Sequence, residues 1–298
     1  MADYVVEQVD KVRLAADEPL KSMDWMSPYV WRTGDCYWMM MRGVPQPLGP
    51  DAPTGFIWHG SSSDGLTFTM DPKPAIAPGS DDTDRGGVED PTVELTDDGL
   101  MVYFTGVDAD HRQGSLLVAT GPDLDHLEKR AVMLRAPAGQ GNIKEATLAQ
   151  ASDGSWRLFY EYAQDNASRI GMATCPKISG PWTPVGCPIS VRPGNWDNWH
   201  LSTGPIVTLP GRNPVMFYNG ATHDARWRIG WVAFDSMFSK IVERCVEPLI
   251  VPPPAEERSA TDIAFAASAL VDGERCLTLY YSLEDRRLAR ARVRAYFD

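Results

Sequence analysis

The sequence predicts an all-β protein folded as a five-bladed β-propeller. Three observations support this prediction: helical periodicity is scarce, one strand-turn-strand pattern occurs five times, and its copies are evenly spaced. The copies begin about 55–65 residues apart, which leaves room in each repeat for a four-stranded blade.

Each copy places a glycine-containing turn between two short strands, and aromatic residues lie near the end of the second strand. Glycine suits these turns because it adopts a positive φ without a Cβ clash. Further strands are predicted at residues 168–174 and 227–234. The five hairpins are predicted at residues 29–42, 92–105, 146–160, 204–218 and 269–281.

The whole chain, residues 1–298, is expected to form one domain, with the N-terminal segment helping to close the ring of blades. Radial repetition leaves few exposed sheet edges, which suits an all-β chain of this size. A large β-sandwich is the alternative, but five copies of one hairpin favour the propeller. The approximate blades are residues 20–80, 88–135, 142–190, 200–252 and 260–298.

The formal net charge of −12 disfavours partners with an anionic surface. Nucleic acids and anionic membranes are held chiefly by basic residues, so neither is expected as a partner. The first residues, Met1 to Glu7, lack the basic and apolar pattern of a signal peptide. Five scattered cysteines are expected to be reduced thiols, and we expect a cytoplasmic protein. The sequence leaves the oligomeric state open, including a homo-oligomer.

Two adjacent acids, Glu89 and Asp90, lie at a glycine-rich entry to the second hairpin. Pro91 favours an extended conformation for Asp90, because a residue before proline is pushed away from the helical region. Side chains alternate along a strand, so only one of the two acids is expected to face a central channel. A turn cap with a surface carboxylate is the alternative interpretation.

The order of several short motifs resembles glycoside hydrolase family 130, the β-mannoside phosphorylases and β-1,2-mannosidases. The resemblance runs from Met26 to Asp298, and its most specific part is residues 87–91, which match the signature Gly-x-Glu-Asp-Pro-Arg at all but the last residue. The other matching segments are Ser27-Pro28, Met41-Arg42, residues 63–68, Gly204-Pro205 and residues 280–285.

This resemblance implies roles for four residues. Asp90 is implied to be the general acid, which protonates a sugar hydroxyl that relays the proton to the glycosidic oxygen. Asp285 is implied to bind the non-reducing sugar, and Arg42 is expected to line the same pocket. Lys144, on a stretch similar to the family's lysine-containing segment, is expected to keep a basic role. The implied ligand is a small oligosaccharide or glycoside.

Three departures from the family pattern bear on the reaction. Thr92 replaces the signature arginine, Asn219 replaces a histidine that helps to hold phosphate, and Glu161 lies where members often have an arginine. Phosphate is best recognised by converging arginine, lysine and histidine donors, so these changes disfavour phosphate. A carboxylate can instead activate water, since inverting hydrolysis uses two carboxyl groups.

We therefore predict an inverting hydrolase of a β-mannoside or similar small glycoside, with Asp90 as the acid and Glu161 or Glu145 as the base. Two alternatives are a β-mannoside phosphorylase with inorganic phosphate as co-substrate and an inactive sugar-binding propeller. No organic cofactor and no metal are expected. The chain also lacks the phosphate-binding, dinucleotide-binding and Gly-x-Ser-x-Gly motifs of other enzyme classes.

Aromatic and polar loop residues complete the predicted substrate site. Residues 194–200 form a polar loop with large aromatics, and Trp199 and His200 are predicted to contact sugar, because pyranose rings stack on aromatic rings. Packing between blades is the alternative for the tryptophans. Asn219 and Arg112 are predicted to contact substrate as well, Arg112 from a polar loop at the mouth.

Overall fold

The computed structural model describes residues 2–297, and these residues form an all-β protein. Met1 and Asp298, the two ends of the predicted domain, lie outside the described residues. Two single-turn 3-10 helices cover Leu20–Ser22 and Ala255–Glu257. No helix in this part of the chain has the length or the apolar character needed to cross a membrane.

The strands follow one another with little other structure between them. In chain order they are β1 (Ala2–Lys11), β2 (Arg13–Ala15), β3 (Asp24–Thr33), β4 (Cys36–Val44), β5 (Phe56–Ser62), β6 (Thr67–Met70), β7 (Gly87–Thr96), β8 (Gly99–Val107), β9 (Gly114–Gly121), β10 (Glu128–Leu134), β11 (Gly141–Gln150), β12 (Trp156–Gln164), β13 (Ala167–Cys175), β14 (Thr183–Val185), β15 (His200–Ser202), β16 (Ile206–Val207), β17 (Val215–Met216), β18 (Asn219–Ala221), β19 (Trp227–Ile229), β20 (Val232–Phe234), β21 (Ile241–Arg244), β22 (Ala264–Val271), β23 (Cys276–Leu283) and β24 (Arg287–Phe297).

These strands form sheets that are consecutive along the chain. The orders are β2-β6-β5-β4-β3, β10-β9-β8-β7, β11-β12-β13-β14 and β1-β24-β23-β22, while the region between the last two contains β15-β18-β19 and β16-β17-β20-β21. In five of these six sheets, one strand contacts the corresponding strand of the next: β3 contacts β7, β7 contacts β11, β11 contacts β16, β16 contacts β22, and β22 contacts β3. We call β3, β7, β11, β15 with β16, and β22 the facing strands.

All five predicted hairpins form: β3 pairs with β4, β7 with β8, β11 with β12, β16 with β17, and β22 with β23. The strand predicted at residues 168–174 lies within β13. The strand predicted at residues 227–234 is divided into β19 and β20, which belong to different sheets. The division follows from an interruption of the facing strand between Ser202 and Ile206, which separates the fourth region into two pieces.

Three of the facing strands have a bulge at matching positions. The pairing register shifts between Met26 and Tyr29 in β3, between Glu89 and Thr92 in β7, and between Lys144 and Thr147 in β11. Each bulge contains a non-glycine residue with left-handed backbone: φ is 51° at Ser27, 52° at Asp90 and 53° at Glu145. A bulge inserts an extra residue and redirects its side chain, so the same device presents three side chains to one place.

The extended conformation expected for Asp90 is therefore wrong. Its φ of 52° lies in the left-handed region, and the bulge decides this conformation because it must place an extra residue opposite β8. Gly204, before Pro205, lies in the interruption of the fourth facing strand. A Cβ on Gly204 would lie 1.8 Å from the carbonyl oxygen of Phe217, so this position accepts no side chain.

The two ends of the described chain meet in one sheet, because β1 pairs with β24 along its whole length. Tyr4 of β1 anchors this pairing: it is 4% exposed, and its ring centroid lies 5.4 Å from that of Phe217, 5.0 Å from that of Trp231 and 6.4 Å from that of Phe297. The contacts join the sheet of β1 to the preceding one. All five cysteines are free thiols.

The anchor can be tested by removing its ring. Tyr4→Ala is expected to lower the free energy of unfolding by about 3–5 kcal/mol, because a large buried aromatic leaves a cavity between two sheets. Val9→Ala, at an exposed position of the same strand, should change it by no more than about 0.5 kcal/mol. Urea unfolding measures both, and equal effects of the two substitutions would show that β1 is not anchored through Tyr4.

Candidate active site

The bulges of the facing strands open onto one cavity of about 190 Å³. Six of the ten predicted site residues line it: Arg42, Asp90, Lys144, Glu145, Glu161 and Asp285. A larger cavity of about 970 Å³ lies between β1 and residues 243–249. We assign the site to the smaller one, because four carboxyl groups with raised pKa values converge on it, and such convergence marks functional sites. The remaining lining residues are Met26, Ser27, Trp227, Ile263, Phe265 and Ser282.

A buried ion triad lies next to the cavity. Glu89 is 1% exposed, and its two oxygens accept hydrogen bonds from Arg42 Nη2 at 2.7 Å and from Lys144 Nζ at 2.8 Å. Burial opposes ionisation of this carboxyl, but the two cations outweigh burial and lower its pKa to about 2. Arg42 also donates to the carbonyl oxygen of Thr54. The triad joins β4, β7 and β11, so it holds three sheets in register around the cavity.

Asp90 is in a different environment from its neighbour Glu89. Its Oδ1 accepts a hydrogen bond of 2.7 Å from Ser27 Oγ, and Arg42 Nη1 lies 3.9 Å away. Burial and the negative charge of Glu89 raise the pKa of Asp90, although Arg42 acts in the opposite direction. A carboxyl group that keeps its proton to higher pH is suited to general acid catalysis.

Two glutamates of the third sheet line the cavity near Lys144. Burial and the neighbouring charge of Asp90 raise the pKa of Glu145 well above its usual range. Burial also raises the pKa of Glu161, whose Oε1 accepts a hydrogen bond of 2.8 Å from Ser168 Oγ. Glu161 pairs with Lys144 across β11 and β12, so the two side chains come from directly opposed positions.

Asp285 completes the set of acids. It follows β23, in the turn to β24, and its φ is 54°. Burial raises the pKa of this carboxyl, and Arg42 opposes that rise. The cavity therefore contains four carboxyl groups that burial disfavours as anions, and two cations that are already bonded to a fifth.

The structure does not place Asn219 where substrate contact was predicted. Asn219 is fully buried, and its Nδ2 donates to the carbonyl oxygens of Thr203 at 2.5 Å and Ala266 at 3.2 Å. Its Oδ1 accepts a hydrogen bond from the backbone N–H of Ala266 at 2.7 Å. The amide is thus bonded within the protein, where it joins two facing strands, and Asn219 lies outside the lining of the cavity.

Trp199, His200 and Arg112 also lie outside the lining of the cavity. Trp199 packs against His223 at 4.6 Å between ring centroids. His200 Nδ1 accepts a hydrogen bond of 3.1 Å from the backbone N–H of Ser168, and its ring packs on Trp227, which does line the cavity. Arg112 is exposed on the loop between β8 and β9. His200 therefore supports the lining rather than forming it.

Sequence reasoning missed Ser27 as an Asp90 partner and missed an apolar wall of Trp227, Ile263 and Phe265. A signal for Ser27 was present, since Ser27-Pro28 repeats the pattern of Asp90-Pro91 in the preceding sheet. Trp227 lies at the start of a strand that was predicted, but the cavity-facing side of that strand depends on its pairing with β18.

Comparison with known protein families identifies the family of the chain. The sequence profile of a family described as β-1,4-mannooligosaccharide phosphorylase matches residues 50–294, which is most of the chain. The chain belongs to glycoside hydrolase family 130. The resemblance inferred from the motifs is thereby confirmed.

A β-1,2-mannobiose phosphorylase of Listeria innocua is 25% identical to the chain over 239 residues, which are 78% of this chain. The match spans 65% of that relative, less than two thirds of its length.

Solved structures share the fold of this family member. That of β-1,2-mannobiose phosphorylase from Listeria innocua in complex with β-1,2-mannobiose has a TM-score of 0.75 at 18% identity, covering 97% of this chain and 91% of that one. A structure from a study of family hydrolases that target β-1,2 mannosidic linkages in Candida mannan has a TM-score of 0.71 at 20% identity, covering 91% and 84%. At these sequence identities, the structural similarity supports the fold alone.

The ion triad predicts a pH-dependent contribution to stability. Glu89→Gln is expected to lower the free energy of unfolding by about 3–5 kcal/mol at pH 7, because Arg42 and Lys144 lose their buried carboxylate. Since the pKa of Glu89 is depressed, its stabilisation is present above the unfolded-state value of 4.5 and is lost as the pH falls through about 2. Urea titrations should show the difference between wild type and variant narrowing in that range.

Glu94 in β7 provides a control, because its contribution to stability is expected to have the opposite pH dependence. Burial raises the pKa of Glu94 to about 7 from 4.5, so its contribution to stability is present below pH 4.5 and is lost as the pH rises through 7. Glu94→Gln should therefore gain stability over wild type as the pH rises through this range.

For the triad itself, a Glu89→Gln effect on the free energy of unfolding that has the same size at every pH would contradict the assignment.

Proposed function

We propose that this family member is an inverting glycosidase that hydrolyses a β-linked mannoside or a similar small glycoside, with Asp90 as the general acid. The observation that carries the proposal is the pairing of both cations of the cavity with Glu89, at 2.7 Å and 2.8 Å. The relatives named above include both phosphorylases and hydrolases of mannosides. The choice of nucleophile therefore depends on the residues of this chain.

Phosphate requires donors that are free to bond it. A phosphate dianion is held by converging cations, often by bidentate arginine. Arg42 already donates to Glu89 and Thr54, and Lys144 donates to Glu89. Four carboxyl groups line the same cavity, so an incoming dianion would meet acids rather than unpaired cations. A neutral water molecule has no such barrier.

Glu161 is the better candidate for the base. A base has to be ionised at the working pH, and the pKa of Glu145 is raised well above its usual range, which favours its neutral form. Glu161 has a hydrogen bond from Ser168 that supports its charged form. We therefore assign the base to Glu161 and treat Glu145 as a protonated neighbour that keeps the local charge low.

The reaction then proceeds in one displacement. Asp90 gives its proton to a sugar hydroxyl, which relays a proton to the glycosidic oxygen as the bond from the anomeric carbon to that oxygen breaks. Water attacks the anomeric carbon from the opposite face, and Glu161 accepts the proton of the water. The products are a free sugar with inverted anomeric configuration and the leaving-group alcohol. Asp285 is proposed to bind the non-reducing sugar, as the family resemblance implies, and Arg42 to line the same pocket.

The proposal includes the architecture that surrounds this site. We propose that the sheets are the five blades of a single β-propeller over the whole chain, in which β15–β21 make one blade interrupted at Gly204. Its support is the closed cycle of contacts among the facing strands and the pairing of β1 with β24. In this arrangement, the cavity lies where the facing strands meet.

A phosphorylase is the second candidate. Arg42 and Lys144 do line the cavity, and a rearrangement that releases them from Glu89 would supply donors for phosphate. This candidate predicts that turnover requires phosphate and forms a sugar 1-phosphate.

Product analysis separates the two candidates. Incubation with β-1,2-mannobiose is expected to give mannose at a rate that phosphate does not change, because water is the nucleophile. Nuclear magnetic resonance before mutarotation should show that the mannose released from the non-reducing end is the α-anomer, as inversion requires. Formation of mannose 1-phosphate, or dependence of the rate on phosphate, would overturn hydrolysis in favour of the phosphorylase.

Three substitutions test the assigned roles. Asp90→Asn and Glu161→Gln are each expected to lower kcat by about 10²–10⁴-fold, the usual contribution of a general acid or base, while substrate binding stays within a few-fold of wild type. Glu145→Gln resembles the protonated side chain and should keep kcat within about 10-fold of wild type. A larger loss of kcat in Glu145→Gln than in Glu161→Gln would make Glu145 the base. A wild type that binds mannosides without turnover would indicate a sugar-binding protein.

A further inference from the structure

Three side chains of metal-ligating type converge between the first and second sheets. His59 lies on β5 and Asp71 directly follows β6, whereas Asp125 lies in the turn between β9 and β10. Within residues 2–297, one ring nitrogen of His59 and one carboxylate oxygen of each aspartate all lie within 4.8 Å of one another. His59 Nε2 is 3.9 Å from Asp71 Oδ2 and 3.7 Å from Asp125 Oδ1. These residues are outside the lining of the candidate active site.

The His59 ring is buried, yet in the described part of the chain its nitrogens have no hydrogen-bond partner. The residue is only 8% exposed. Both aspartate oxygens lie farther from Nε2 than a hydrogen bond allows. Burial of a polar group without a partner is unfavourable, so a buried ring nitrogen that faces two carboxylates at this spacing indicates a ligand between them.

Each aspartate directs one oxygen toward His59 and is held locally by a hydrogen bond. Asp71 Oδ1 accepts a hydrogen bond of 2.9 Å from the backbone N–H of Lys73, and its other oxygen lies toward the ring. The backbone N–H of Asp71 donates to the carbonyl oxygen of His59 at 2.9 Å. In the turn opposite, the backbone N–H of Asp125 donates to Asp123 Oδ1 at 3.0 Å. The three ligand atoms are therefore brought together by their own backbone segments.

The spacing of these atoms is close to the spacing around a zinc ion. Histidine nitrogen and aspartate oxygen bind zinc at about 2.0–2.2 Å, so two ligands of a tetrahedral ion lie about 3.4 Å apart. Distances of 3.7 Å and 3.9 Å require only a small inward movement of the carboxylates. The side chains of Asp71 and Asp125 are 34% and 71% exposed, so neither is prevented by packing from making that movement.

The donor set selects the class of cation. Calcium and magnesium prefer oxygen ligands throughout, whereas an imidazole with carboxylates suits zinc and similar transition metals. Three protein ligands leave one position of a tetrahedral zinc ion for water. A cavity of about 250 Å³, lined in part by His59 and Asp125, provides space for that water. Other residues that line it are Trp31, Trp38, Leu95 and Leu100.

The cluster lies far from the acids of the candidate active site. Leu95 and Leu100, which line the same cavity as His59, flank the turn between β7 and β8. Asp90 lies toward the other end of β7, about 16 Å from Leu95 at the rise of an extended strand. The cluster is therefore a separate site at the opposite end of the strands.

We infer that His59, Asp71 and Asp125 form a zinc site that links the first sheet to the second. His59 and Asp71 come from one sheet and Asp125 from the next, so a bound ion holds the two sheets together. An ion that binds only the folded chain stabilises it. The three ligands are far apart in the chain and have no motif spacing, which explains why the sequence alone predicts no metal. The inference is independent of the proposed glycosidase function.

Isothermal titration calorimetry of zinc chloride into the protein at pH 7, after treatment with EDTA and dialysis, tests the site. Wild type is expected to bind one zinc ion with a Kd of about 10 μM or tighter. Asp125→Ala and His59→Gln should each weaken binding by at least about 10-fold, since even the loss of an outer partner of a ligand costs 10–100-fold. Asp98→Ala, which removes an exposed aspartate in the turn between β7 and β8, should leave the Kd unchanged.

Thermal unfolding provides a second measurement. Zinc at about 10-fold above its Kd is expected to raise the Tm of wild type by about 2–4 °C, whereas magnesium at the same concentration should not change it. Asp125→Ala should lose the zinc-dependent shift, and its 71% exposed side chain makes misfolding of this variant unexpected. Absence of zinc binding by wild type, or equal zinc affinity in wild type, Asp125→Ala and His59→Gln, would overturn the inference while leaving the proposed function intact.

Discussion

Glu89 is a buried carboxylate that bonds Arg42 of one neighbouring sheet and Lys144 of the other. Burying three charges is unfavourable unless they are paired, and here each cation has a carboxylate oxygen at hydrogen-bond distance. The pairing holds three sheets together and gives both cations that line the cavity a carboxylate partner. The chemistry available to the site follows from this interaction, because the remaining ionisable groups of the cavity are acids.

The bulges of the facing strands turn this arrangement into a site. Ser27, Asp90 and Glu145 occupy matching bulges with left-handed backbone, and each lines the same cavity. Because Asp90 is next to Glu89 in the chain, the bulge separates their roles: Glu89 neutralises cations, whereas Asp90 is buried near a negative charge that raises its pKa. Two adjacent acids thus acquire opposite protonation behaviour from one backbone irregularity.

Much of this arrangement follows from sequence, and the remainder depends on contacts that a sequence does not specify. The hairpins were predictable because turn glycines and alternating strands are local signals, and six site residues lie in or beside short motifs at strand ends. Asn219 was predicted to contact substrate only from the family motif that it resembles, but its buried hydrogen bond with Ala266 is set by the approach of two facing strands. Trp227 was missed because its orientation depends on the pairing of β19 with β18. Asp90 followed its bulge rather than the preference set by Pro91.

Because Glu89 pairs with both cations that line the cavity, inorganic phosphate is expected to bind there only weakly. Isothermal titration of inorganic phosphate into the wild-type protein at pH 7 measures this affinity. We expect a Kd weaker than about 1 mM, the level at which binding contributes less than about 4 kcal/mol. A Kd in the micromolar range, lost on substitution of Arg42 or Lys144, would contradict it.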